Sequence, residues 1–306
     1  MERDYDYMVA TECFTFNQAA YIETALQGFA MQKVSFPVVF IIVDDASTDG
    51  EQDVLKCWAK KNLEYSNDYP LWENRLYGEQ AFAKLGTDEN IYFLIILLEK
   101  NHFSQGLHQI KRGYYKDWIG RAKYISWCEG DDYWIDSFKL SKQIRYLEEH
   151  KDCGLVHGLA KAFDEVSGSF NSQLRGGNYK SFNELLKANK IITLTVCVRS
   201  VAYYEYLREY SKWNKNDELK MIDYSVWLWI SKFYKTYFFD EIFGVYRVLP
   251  ESTSHTKNIK KMVNFLNSIY EIQKCYSERF DESISVRREI YNNYVKSLVS
   301  LKKFNN

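Results

Sequence analysis

The sequence predicts an α/β fold with a mostly parallel central sheet flanked by helices, and three observations carry that prediction. Short apolar runs alternate with amphipathic stretches through the first half of the 306 residues. The run Val38-Val39-Phe40-Ile41-Ile42-Val43 is apolar at every position, which suits a strand covered on both faces. Acidic clusters, Asp44-Asp45 and Glu129-Gly130-Asp131-Asp132, stand directly after two of the predicted strands. In an open parallel sheet that edge is where ligands sit.

The first strand is read over residues 7–14 and a helix over 18–32, where Ile22, Leu26 and Phe29 recur at helical spacing. The strand at 38–43 follows Pro37, and a helical pattern runs from Gly50 through Asn62. The polar, Pro-containing stretch 64–90 breaks the alternation and is read as an insertion. The sheet resumes at 91–98, followed by a helix at 105–118 and a strand at 124–128. Further on come a helix at 137–150, a strand at 154–163, a loop bearing Gly and Asn at 168–179 and a helix at 182–188. A strand at 194–198, helices at 201–211 and 224–233 and a strand at 237–248 complete the domain, read as residues 1–255. Residues 256–306 are read as a C-terminal helical extension.

Composition narrows the classes. With 46% apolar and 26% charged residues, wholesale disorder is excluded. Forty basic side chains nearly cancel 41 acidic ones, so no global field favours nucleic acid as a partner. Cys13, Cys57, Cys128, Cys153, Cys197 and Cys275 show no paired short spacing of the zinc or redox kind, and they fit a reducing cytoplasm. The acidic N-terminus lacks the apolar run of a signal peptide, and no stretch of about twenty apolar residues follows. The 25 Tyr and 8 Trp supply rings for the core and for stacking on sugar faces and bases.

Three constellations carry chemistry. In Val43-Asp44-Asp45-Ala46-Ser47-Thr48-Asp49-Gly50 the carboxylates can accept hydrogen bonds from a base and a ribose, and Ser47 or Thr48 can cap the next helix. Taken alone, the same string reads as a plain cap and turn. In Glu129-Gly130-Asp131-Asp132-Tyr133-Trp134 adjacent carboxylates repel, and hard oxygen ligands favour Mg²⁺ or Mn²⁺ bridging to phosphate oxygens. Asp223 opens an amphipathic helix, where a carboxylate is either a cap or a base for an incoming hydroxyl.

Together these residues resemble the family 2 glycosyltransferases, which have the GT-A fold, a Rossmann-like sheet flanked by helices. Thr15-Phe16-Asn17 resembles that family's T-Y-N turn, Val43 to Gly50 its V-D-D segment, Asn101 to Gly106 its loop after the third strand, and Glu129 to Trp134 its D-x-D region. Ile222-Asp223-Tyr224, Phe239-Asp240-Glu241 and Val245-Tyr246-Arg247 are similar to its later segments. The resemblance implies an inverting, metal-dependent glycosyltransferase domain over 1–255. Asp223 would be the base, and Asp131 and Asp132 would hold Mn²⁺ or Mg²⁺ and the diphosphate. Asp45 would contact the nucleobase and Asp44 the nucleotide, with Thr15, Asn17, Ser47 and Arg247 completing the nucleotide-sugar site. The implied donor is a nucleotide diphosphate sugar, with UDP-sugars foremost, and the acceptor a glycan or lipid-linked saccharide in polysaccharide or surface-glycan assembly. Leu249 stands where many members have a histidine, leaving Arg247 or His255 to supply that contact, and Asp217 and Glu218 are the next base candidates after Asp223.

Two rivals remain. A sugar-nucleotide nucleotidyltransferase would carry a Gly-rich, basic loop after the first strand, and residues 15–20 have neither feature. A non-catalytic nucleotide- or glycan-binding module would have no need of Asp131, Asp132 and Asp223 together. From Thr256 on, ten basic residues face five acidic ones, with Phe265, Leu266, Ile269, Ile272 and Leu298 at partly helical spacing. That stretch either packs on the domain or lies peripherally on the inner face of a membrane.

Overall fold

A computed structural model of the chain describes residues 4–65, 71–213, 222–250 and 258–303. The leading elements are β1 (Tyr7–Thr15), α1 (Ile22–Ala30), β2 (Val38–Asp44) and α2 (Glu51–Asn62), as the apolar periodicity requires. Then come β3 (Trp72–Arg75), β4 (Gly78–Leu85), β5 (Asp88–Leu98), α3 (His108–Gly113), α4 (Lys116–Gly120), β6 (Ala122–Trp127), β7 (Tyr133–Trp134) and α5 (Lys139–Glu149). The remainder is β8 (Cys153–Asp164), β9 (Ser169–Phe170), α6 (Phe182–Lys187), β10 (Cys197–Arg199), α7 (Ser200–Trp213), α8 (Ile222–Phe233), β11 (Lys235–Val248), α9 (Ile259–Arg279) and α10 (Ile284–Lys303).

The strands form one sheet in the order β3-β4-β5-β2-β1-β6-β10-β8-β11-β7, with β9 beside β8. Its heart, β5-β2-β1-β6, is parallel. β10 runs antiparallel to both β6 and β8, and β8 and β11 are parallel to each other. Every residue of β2 is buried, because alternate side chains enter two separate cores. Val39, Ile41 and Val43 face the layer that holds α4, α7 and α8, while Val38, Phe40 and Ile42 face α1, α2 and α5.

Several sequence expectations are corrected. Residues 64–90 are in large part no insertion: β3 and β4 form an antiparallel hairpin that extends the sheet beyond β5. An edge hairpin has a solvated face, so its polar composition hides the strand pattern. Gly78 makes the junction possible, with φ 138° and a position where a Cβ would lie 2.0 Å from the Leu97 carbonyl oxygen. The first helix starts at Ile22 and not at residue 18, since Asn17 is left-handed (φ 54°) and residues 16–21 form a turn. The helix expected at 105–118 is split into α3 and α4, the strand at 194–198 opens as a 3-10 turn (Thr193–Thr195), and the loop at 168–179 contains β9.

α9 packs on α6 and α8, and α10 packs on α9 and α6. Ile272 and Tyr276 enter the core, and the Tyr276 hydroxyl donates to the Ser225 carbonyl at 2.7 Å. Ile272 is therefore spent on packing, and Phe265, Leu266, Ile269 and Leu298 are half-buried. The boundary at 255/256, His255, Asp217 and Glu218 lie outside the described residues. Among the described residues no helix is long and apolar enough to cross a membrane. All six cysteines are free.

Candidate active site

The parallel strands deliver the expected residues to one edge. β1 ends at Thr15, β2 at Asp44 and β6 at Trp127, so residues 15–18, 44–51 and 128–132 are neighbours there. The loop after β6 continues along β1: Cys128 N–H donates to the Glu12 carbonyl and Gly130 N–H to that of Phe14, both at 3.1 Å. A Cβ on Gly130 would lie 2.3 Å from Thr15 Oγ1, so the close approach of the two loops requires glycine there. Trp134 anchors the far end of that loop, buried against Phe29 and Phe40 with its indole N–H donating to the Leu194 carbonyl at 2.8 Å.

Glu51, which the sequence reading passed over, is the joint of the first cluster. Its buried carboxylate accepts from the Thr15 hydroxyl, from Gln18 N–H at 2.7 Å and from the Ser47 hydroxyl at 2.9 Å. Ser47 Oγ in turn accepts from Asn17 N–H at 2.8 Å, and Asn17 Oδ1 accepts from Thr48 N–H at 2.8 Å. The loops after β1 and β2 are thus laced together. Burial raises the Glu51 carboxyl, and its three donors oppose that only in part. Neither Ser47 nor Thr48 caps α2; Asp49 accepts from Glu51 N–H at 3.1 Å and also holds Ala19 N–H at 2.9 Å.

Asp44 and Asp45 are both buried but differently employed. Asp45 accepts from His102 N–H at 2.8 Å, Phe103 N–H at 3.0 Å and the Lys111 ammonium at 3.1 Å, so it fastens the loop after β5. Asp44 Oδ1 accepts from Ser47 N–H at 3.1 Å and from the Gln52 amide, while Oδ2 is buried without a partner. Burial raises the Asp44 carboxyl, offset by Ser47 and Gln52.

The second cluster is electrostatically unlike the first. Burial and the neighbouring Asp131 push the Asp132 carboxyl well up, although Arg247 N–H donates to it at 2.8 Å. Asp131 is raised by burial and held back by Arg247. Glu129 is exposed to solvent by its surface, yet loss of hydration around its carboxyl and then the charges of Asp131 and Asp223 push it up to about 7, a shift that solvent at this exposed position reduces. Asp223, in the first turn of α8, is therefore within the field of this cluster; its own carboxyl is raised by burial, and Oδ2 accepts from the Thr193 hydroxyl at 3.0 Å. The Arg247 guanidinium lies 5.0 and 4.8 Å from the ring centres of Tyr21 and Tyr133 and pairs with Glu165. Its Nε is buried without a partner.

Of the residues expected at the site, Thr15, Asn17, Asp44, Asp45 and Ser47 lie in the laced loops after β1 and β2, Asp131 and Asp132 in the loop after β6, Asp223 in the first turn of α8, and Arg247 in β11 with its N–H on Asp132. Glu51, Lys111, Gln52 and Thr193 went unread. A glutamate in a helix's first turn and a lysine 66 positions from its aspartate leave no local signal of a shared site.

The architecture has counterparts among solved structures. The mannosyltransferase PcManGT from Pyrobaculum calidifontis, in complex with GDP-Man and Mn²⁺, superposes with a TM-score of 0.54 over 98% of this chain and 74% of its own, at 11% identity. The fold is that of a glycosyltransferase. Residues 1–349 of TarS from S. aureus share this glycosyltransferase fold at a TM-score of 0.51, over 96% of this chain and 91% of that one, at 13% identity. No protein-family model matches the chain. By sequence it is 32% identical over 196 residues to uncharacterized proteins of Mycobacterium bovis and Mycobacterium tuberculosis. The match takes in 62% of this chain and 46% of each relative, so the chain spans less than half their length.

Proposed function

We propose that the chain is a metal-dependent, inverting glycosyltransferase of family 2 type. It would move a sugar from a nucleotide diphosphate sugar, a UDP-sugar first among the candidates, to a hydroxyl of a glycan or lipid-linked saccharide in polysaccharide or surface-glycan assembly. Residues 1–255 would form the catalytic domain and 256–306 its helical extension, working at the cytoplasmic side. The observation that supports the reading is the placement of Asp131 and Asp132 in the loop after β6, beside the laced loops at the carboxyl edge of a glycosyltransferase fold, with Arg247 N–H on Asp132.

Adjacent hard-oxygen groups that burial and mutual repulsion hold up in pKa fit Mn²⁺ or Mg²⁺. Asp131 and Asp132 would hold the ion. Among the described residues no group of three or more His, Cys, Asp and Glu is placed to hold a metal ion, so beyond Asp131 and Asp132 the shell would have to come from diphosphate oxygens and water. When bound, the ion offsets the charge that develops on the departing diphosphate.

The chain's own residues do the rest. Thr15, Asn17, Asp44, Asp45 and Ser47 line or support the nucleotide floor, with Asp45 acting through the loop it fastens. Arg247 adds a fixed positive charge beside Asp132. The Thr193 hydroxyl orients Asp223, whose carboxylate would take the proton of the acceptor hydroxyl. As that proton leaves, the oxygen attacks the anomeric carbon opposite the diphosphate, the glycosidic bond to diphosphate breaks, and the configuration inverts.

A thermal-shift series with UDP, GDP, UDP-sugars and GDP-mannose, each with and without Mn²⁺, tests the reading. A ligand that binds only the folded state raises the melting temperature. The expected result is a rise for at least one nucleotide diphosphate that requires Mn²⁺; no rise with any of them would sink the proposal. Donor turnover that stops with chelator separates an enzyme from a binding module.

A further inference from the structure

We propose that the outward face of α10 docks the protein on an anionic lipid surface. Ile284 is 74% exposed, Tyr291 53%, Val299 49% and Val295 36%. At 100° per residue these positions fall on one arc of the helix. Arg288 shares that arc and Lys296 flanks it, both exposed. The other side of α10 is already anchored. Ile290 is buried, Tyr294 stacks on Tyr270 with ring centres 4.3 Å apart, and its hydroxyl donates to Asn267 at 2.7 Å. This apolar face differs from the one that the sequence suggested, because Ile272 and its neighbours are consumed by packing.

Charge selects the occupant. α10 carries five basic residues, Arg288, Lys296, Lys302, Lys303 and Arg287, the last paired with Asp281 at 3.0 Å, and one acidic residue, Glu289, whose carboxylate pairs with Lys187 at 2.6 Å. A symmetric pairing of two copies would set the same basic helix against itself, which like charges oppose. An anionic lipid surface attracts the basic residues while the apolar arc enters the headgroup boundary. The helix is too polar to span a bilayer and would lie in its plane.

Co-sedimentation of the full chain with phosphatidylcholine vesicles, with and without phosphatidylglycerol, tests this at low and high salt. Binding should require phosphatidylglycerol and fall at high salt. Val295→Glu/Val299→Glu should abolish it, and Arg288→Gln should weaken it roughly fivefold, with melting temperatures kept. Equal binding to both vesicle types, or none to either, overturns the proposal. So does a dimer by light scattering that Val295→Glu/Val299→Glu turns into monomer, which would assign the face to a second copy. Because nucleotide binding is not read, its outcome is separate from that of the proposed reaction.

Discussion

The two acidic clusters at the sheet edge have similar composition, and burial raises carboxyls in both, but they differ in how many donors reach them. In the first, the carboxylates of Asp45, Asp49 and Glu51 are occupied by backbone N–H groups, hydroxyls and Lys111, leaving only one oxygen of Asp44 without a partner. In the second, Glu129, Asp131, Asp132 and Asp223 receive few donors and are raised by desolvation, with like charges adding to Glu129 and Asp132. The first cluster is completed by the fold itself, whereas in the proposed reaction the second would be completed by a cation and a substrate. An acidic motif therefore says little until its donors are counted.

The sharpest way to break this contrast is at Asp223. Asp223→Asn keeps the Thr193 contact and removes the basic oxygen, so sugar transfer should slow by ~10²–10⁴-fold with donor affinity unchanged. Transfer at the wild-type rate would place the base elsewhere.

In the first cluster the expected loss is structural. Asp45→Ala strands the Lys111 ammonium and the N–H groups of His102 and Phe103, and should cost about 3 kcal/mol in denaturant unfolding. A cost within about 0.5 kcal/mol would mean that the loop after β5 stands without it.

Neutralising the second cluster should do the reverse. Asp131→Asn should hold or raise the stability of the metal-free protein while weakening Mn²⁺-dependent nucleotide binding at least about tenfold. Undiminished binding by calorimetry, there and in Asp132→Asn, would remove the metal assignment.

Glu51→Gln probes the lacing between the loops. The amide turns donors toward donors, so unfolding should cost about 1–2 kcal/mol and nucleotide affinity should fall a few-fold. Unchanged nucleotide affinity despite lost stability would make Glu51 a packing residue only.

The smallest effect is on pH. The Glu129 carboxyl sits at about 7 in the fold against 4.5 as its ordinary value. The folded state therefore binds the extra proton, and stability should fall as pH rises between 4.5 and about 7. His157, pushed down to about 4 by burial, slopes the opposite way below 6.5, so the difference between wild type and Glu129→Gln isolates the effect. A flat difference would mean that water screens Glu129 fully.

The sequence by itself determined the parallel heart of the sheet and the edge that carries the site. A fully apolar run such as residues 38–43 has no other stable home than a strand covered on both faces, and residues following such strands emerge at one edge. The sequence motifs also proposed roles for Asp131 and Asp132, while Asp223 read as a helix cap until the family resemblance made it a candidate base. What the tertiary structure alone decided is who satisfies whom. That Lys111 serves Asp45, that Glu51 laces two loops and that Thr193 holds Asp223 depends on side chains 30 to 66 positions apart, and only folding brings them within hydrogen-bond reach. The edge hairpin β3–β4 was missed for a related reason. β4 is stabilised by pairing with β5 and β3 by pairing with β4, ladders of backbone bonds that no side-chain pattern announces.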